Sequence, residues 1–158
     1  MSPKQRRYLP FDPDRFPKAL ETALGFWQQR LHLQDWLIGS PLAKPDMDSC
    51  FRVRHTPSYR TIKFHHAPAE DEHWRDVEDR WCAHAICHEM MHLMLAPIGD
   101  IAFENLAGTW YKYIEEAEET CCDRLASLIW GLLDESDRQM LTTLFAEARE
   151  KPRKKGVA

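Results

Sequence analysis

The sequence has 158 residues, the size of one domain around one core. Apolar residues make up 44% and charged ones 29%, ordinary values for a globular chain, and a net charge of −4 argues against a dedicated binder of nucleic acid or membrane surface. No apolar run approaches the length that crosses a bilayer.

The polar, basic start from Met1 to Pro10 has no apolar stretch behind it, so no signal peptide is expected. Five cysteines, two of them adjacent at Cys121 and Cys122, make no disulfide framework and suit a reducing cytoplasm. The expected organisation is a flexible N-terminus over 1–13, a single domain over 14–148 and a basic disordered tail over 149–158.

Asp14 is placed to cap a first helix, with Pro17 in its first turn, where a missing amide hydrogen costs nothing. Phe16, Leu20, Ala23, Leu24, Trp27 and Leu31 recur at helical spacing and form its buried stripe. Asp35-Trp36-Leu37-Ile38 is a short apolar strand closed by Gly39, Ser40 and Pro41. Phe51 and Val53 alternate with Arg52 and Arg54, and Ile62 and Phe64 with Thr61 and Lys63, giving two strands joined through Thr56-Pro57-Ser58. The expected result is a small, three-stranded, mostly antiparallel sheet, whose exposed edge would accept an extended peptide by backbone pairing.

The acidic cluster Glu70-Asp71-Glu72 marks the expected start of a second helix. From Cys82 onward this helix is apolar nearly all round, so it belongs in the middle of the domain, and Pro97 and Gly99 are expected to end it near Ala96. A connection over 97–112 leads to a third helix from about Tyr113 to Leu133, buried along Cys122, Leu125, Ala126, Ile129 and Leu133. Ser136 or Asp137 is placed to cap a last short helix carrying Met140, Leu141, Leu144 and Phe145.

Within the second helix stands His88-Glu89-Met90-Met91-His92, an HExxH pattern. Histidines four residues apart on a helix lie about 40° apart around the axis, one turn above the other, so both rings reach one metal ion. Glu89 lies between them, where it can act on a metal-bound water without being a ligand. Burying two histidines and a glutamate in an apolar turn requires partners, and a metal supplies them. A catalytic zinc takes a third protein ligand, and the run Glu115-Glu116-Ala117-Glu118-Glu119 is its obvious source. Glu119 is favoured, with Glu115 and Glu118 as alternatives. Asp123, one turn beyond Glu119, is placed to accept a hydrogen bond from the far nitrogen of a ligand histidine.

These residues resemble the gluzincins, zinc metallopeptidases in which HExxH is followed by a glutamate ligand, often as ExxxD on the next helix. Here that pair is His88-Glu89-Met90-Met91-His92 and Glu119-Thr120-Cys121-Cys122-Asp123. The compact size and the Asp35-Trp36-Leu37-Ile38 segment are similar to the phage- and prophage-associated, ImmA/IrrE-like branch. Its Glu-x-x-Ala-x-x-Phe-Ala pattern appears with Cys122 for Ala and Leu125 for Phe. The resemblance implies an α+β, minimal zincin-like fold in which an N-terminal helix and small sheet precede the HExxH helix and a glutamate-bearing helix. It implies His88, His92 and Glu119 as ligands of one zinc ion and Glu89 as general base, hydrolysing peptide bonds of a cytosolic protein substrate. An oxyanion donor is also required, with Tyr111, Tyr113 and His84 as candidates.

The plain alternatives are a pair of hydrogen-bonded core histidines, a solvated Glu119, and Cys87, Cys121 and Cys122 as small buried hydrophobes rather than soft ligands. His65, His66 and His73 are expected in a wet loop. Against the peptidase stands a non-catalytic domain in which zinc staples two helices and the protein binds a partner. In either case the expected partner is a protein or peptide, with neither nucleic acid nor membrane.

Overall fold

A computed structural model describes residues 8–45, 47, 49–56, 59–105 and 110–150. It is an α+β fold with helices α1 (Phe16–Arg30), α2 (Asp79–Asn105), α3 (Tyr111–Leu132) and α4 (Glu135–Ala148), and strands β1 (Leu37–Ile38), β2 (Leu42–Ala43), β3 (Phe51–Thr56) and β4 (Thr61–His66). The expected connections through Pro57-Ser58 and across 106–109 lie outside the described residues, as do 1–7 and 151–158.

The sheet corrects the expectation of a mostly antiparallel one. β3 and β4 form the predicted antiparallel hairpin, Phe51 opposite His66 and Thr56 opposite Thr61. β1 and β2, however, run parallel to β4, with Leu37 opposite Thr61 and Leu42 opposite His65. Since β3 takes one side of β4 along its whole length, β1 and β2 lie end to end on the other. They are two pieces of one edge strand interrupted over Gly39-Ser40-Pro41, because proline has no N–H for a ladder. A parallel return needs a long crossover, and the loop from β2 through Ser49 with β3 supplies it.

β3's other edge has no strand on it among the described residues. By the two-residue alternation, the backbone groups of Phe51, Val53 and His55 face that way. Along this edge runs α2, with Trp81 stacked on Phe51 and Val53 N–H bonded to Glu89.

α2 is the central element, as its all-round apolarity predicts: Cys82, Ala83, Ile86, Cys87, Met90, Met91 and Leu93 are buried. Both of its expected boundaries move. Asp71 caps a 3-10 turn over Glu72–Asp76 instead, and α2 begins at Asp79 after the extended Val77. At the other end the helix passes through Pro97 to Asn105. Proline removes one backbone bond, but its exposed ring lies on the outer face, while Leu95 and Ala96 pack inward. Packing of the next turn against α3, where Gly99 lies beside the Glu118 carboxylate, offsets the lost bond.

The helix caps also shift. Asp12, not Asp14, accepts the amide hydrogens of Asp14 and Arg15 at the start of α1, and Asp134, not Ser136 or Asp137, caps α4 through Asp137 N–H. Asp134 reaches forward to an orphan amide of α4, whereas Asp12 orders the turn ahead of α1, whose N-cap residue Arg15 makes no side-chain cap.

The packed body extends beyond 14–148 at both ends. Phe11 is fully buried, stacked on Phe16 at 4.1 Å and edge-on to Trp74 and Phe145. Buried Arg149 donates to the Asp79 carboxylate at 2.6 Å and to the carbonyls of Trp74, Val77 and Leu9. It also lies over the Tyr8 and Phe11 rings. One side chain thereby ties together the N-terminal segment, the 3-10 turn, the start of α2 and the end of α4.

Candidate metal centre

His88 and His92 lie on the face of α2 turned to α3, and α3 answers with three acids from two adjacent turns. His88 Nε2 is 3.3 Å from Glu119 Oε2, and His92 Nε2 is 3.5 Å from Glu119 Oε1. Behind the rings, His88 Nδ1 is 2.9 Å from Asp123 Oδ1 and His92 Nδ1 is 2.9 Å from Glu118 Oε1. Each imidazole thus has a carboxylate at its δ nitrogen and shares Glu119 at its ε nitrogen. A carboxylate at Nδ1 selects the tautomer that carries its proton there, which leaves the Nε2 lone pair turned to the shared centre.

His88, His92 and Glu119 each place a ligand atom within 4.8 Å of the others. Two imidazole nitrogens and a carboxylate oxygen are a donor set that zinc accepts. The residues present therefore fit a metal ion. A second grouping, His92, Glu118 and Cys122, is equally compact. It is the poorer site: burial and then the neighbouring Glu118 and Glu119 push the Cys122 thiol up to about 12, so the thiolate ligand is costly to form. Cys87 is likewise a buried thiol, pushed up to about 12 by burial alone.

Glu89 lies beside this centre but is not among the three grouped residues. Its Oε2 accepts the Val53 N–H at 2.8 Å. Burial pushes its carboxyl above the usual carboxylate range, against the pull of His92, the Val53 N–H and His88, while Glu119 adds to the rise. A carboxylate so placed is a better proton acceptor than one in water.

A cleft of about 310 Å³ runs between β3 and these helices, lined by Ser49, Phe51, Arg52, Val53, His55, His88, Glu89, His92 and Glu119. A neighbouring hollow continues it past Trp81, His84 and Asp123. His84 is therefore near the site, its ring edge-on to Trp130 and its basicity lowered by burial and by His88.

The two tyrosines are not brought there. Tyr113 lines a separate apolar groove with Leu95, Ile98, Ile114 and Cys121, on the far side of Glu118. Tyr111 is an exposed residue at the first position of α3 and is not among the residues lining the cleft. Glu115 is exposed on α3, a turn away from the grouped ligands. Of the loop histidines, His65 and His66 prove to be strand residues, and His66 is buried with Nδ1 2.7 Å from the Ala67 carbonyl oxygen.

Three features were not read from the residues. Glu118 appeared only as a rival ligand, yet its adjacency to Glu119 turns it about 100° around the helix, toward the other ring. The Val53 contact and the position of His55 depend on how the sheet docks on α2, for which no local pattern exists. No helix among the described residues is long and apolar enough to cross a membrane. No family model, curated protein or solved structure matches this chain.

Proposed function

We propose that the protein is a zinc-dependent metallopeptidase of gluzincin type, in the compact ImmA/IrrE-like branch with its minimal zincin-like fold, cutting a peptide bond in a cytosolic protein. The observation that carries this reading is the division of labour among the acids. Glu119 meets both ε nitrogens, Asp123 and Glu118 hold the two δ nitrogens, and Glu89 lies half-buried alongside with no imidazole of its own.

In this reading His88, His92 and Glu119 hold one zinc ion. Zinc, once bound, supplies a Lewis acid that lowers the pKa of water and polarises a carbonyl. Asp123 and Glu118 keep the two rings in register. Glu89 accepts the proton of the attacking water and returns it to the leaving amine, a role its partial burial suits by making the carboxylate a better proton acceptor. The outer edge of β3, which carries no strand among the described residues although Glu89 takes its Val53 N–H, borders the cleft and suits an extended peptide as substrate. The cytoplasmic setting belongs to the same proposal and rests on the odd number of thiols, all five of them free.

A second reading, a zinc-stapled binding domain, draws on the Val53–Glu89 bond, which also ties β3 to α2. Glu89→Gln separates the two, because the amide oxygen still accepts the Val53 N–H but the side chain no longer takes a proton. The peptidase reading expects one zinc per chain in both proteins and a loss of cleavage of roughly 10²–10⁴-fold in the variant, measured on a broad peptide library. Equal cleavage by the variant, or none by the zinc-loaded wild type, favours the staple.

A further inference from the structure

We infer that His55, positioned by Asp100, stabilises the substrate's carbonyl oxygen as water adds to it. The inference rests on the peptidase reading and assigns the one role that reading leaves empty.

His55 lies on β3 two residues beyond Val53, on the same face, and lines the cleft with His88, Glu89, His92 and Glu119. Apart from His88 and His92 it is the only imidazole among the described residues lining that part of the cleft. Its ring is fixed from both sides. The Trp36 indole packs edge-on to it at 6.1 Å, and Asp100 Oδ1 lies 3.7 Å from Nε2. That distance is within ion-pairing range but beyond a hydrogen bond, so the carboxylate orients the ring without consuming its N–H. Asp100 reaches this place because α2 continues through Pro97. The other donors named from sequence are worse placed: Tyr113 lines another groove, and His84 lies toward Asp123, one turn behind His88 on the same helix.

The step balances without a further reagent. The water oxygen bonds to the carbonyl carbon, the C=O electron pair moves onto oxygen, and the water's proton goes to Glu89. His55 donates a hydrogen bond to that oxygen, an interaction stronger in the transition state than in bound substrate.

The test uses the zinc-loaded full chain and one peptide selected from a random library as cleaved by wild type. Expected for His55→Ala is a drop in kcat of roughly 10²–10³-fold with KM within about twofold and zinc content unchanged. A phosphinic analogue of the same peptide should lose affinity by a similar factor. His55→Gln, which keeps an N–H donor, should recover part of the rate. Asp100→Asn should fall between His55→Ala and wild type in kcat. Wild-type kcat in His55→Ala overturns the inference and leaves the peptidase reading standing. So does a loss of zinc that accounts for the whole drop, and so does an unchanged affinity for the analogue. A wild type that cleaves no peptide removes the peptidase reading, and the inference with it.

Discussion

Two polar clusters in this small domain solve opposite problems. Around Arg149 one buried cation meets one carboxylate, three carbonyl oxygens and two aromatic faces, so its charge and its hydrogen-bonding capacity are matched from within the chain. Around His88 and His92 four carboxylates, Glu89, Glu118, Glu119 and Asp123, converge on two imidazoles. The first cluster is complete. The second gathers more carboxylates than two imidazoles pair with, a donor set that a divalent cation would fit. The difference teaches where to look for function in a fold with few polar groups inside. A satisfied buried ion is architecture, and a set of acids gathered around paired rings is a candidate receptor.

The comparison breaks most visibly through catalysis. Glu89→Gln leaves both clusters standing and is expected to lower cleavage by roughly 10²–10⁴-fold, the largest single effect. Next comes Arg149→Ala, which strands the Asp79 carboxylate and three carbonyls and should cost about 3–5 kcal/mol, read from urea unfolding with or without metal. If that variant unfolds like wild type, the clasp is not architecture.

Glu118→Gln and Asp123→Asn sharpen the other side. Loss of a carboxylate behind a ligand imidazole typically costs roughly 10–100-fold in metal affinity. Glu118, 18% exposed, should sit at the upper end of that range, and Asp123, 73% exposed and therefore screened, at the lower. Neither should move the stability of the metal-free chain by as much as Arg149→Ala does. The smallest effect concerns His66, whose basicity burial lowers despite the contact with the Ala67 carbonyl. Its folded-state pKa lies below its unfolded one, so the unfolded chain binds the proton first. The stability contribution is therefore full above about pH 6.5 and is lost as pH falls through the folded value. Metal-free wild type should lose more of its melting temperature between pH 7.5 and 5.5 than His66→Phe.

What was legible in the sequence is what local spacing controls. The i, i+4 histidines, the one-turn offset of Glu119 and Asp123, and the apolar stripes of α1, α3 and α4 follow from helical geometry alone. The β3–β4 alternation likewise fixes which faces are buried. The sense of the remaining strand pairing was not legible, because Leu37-Ile38 and Leu42-Ala43 read alike in either direction. Pro97 misled for a different reason: a proline's local cost is small beside the packing of a long helix against its neighbour. That helical extension carries Asp100 to His55, so the part of the cleft hardest to read was also the part set by tertiary contacts.

The most direct test is zinc titration of the metal-free full chain, followed by elemental analysis after dialysis, in wild type and in Glu119→Ala. One tightly held zinc per wild-type chain is expected, with a site at least roughly tenfold weaker in the variant. A wild type that retains no zinc, or a Glu119→Ala chain that holds it as tightly, would contradict the claim that these two helices form a metal centre.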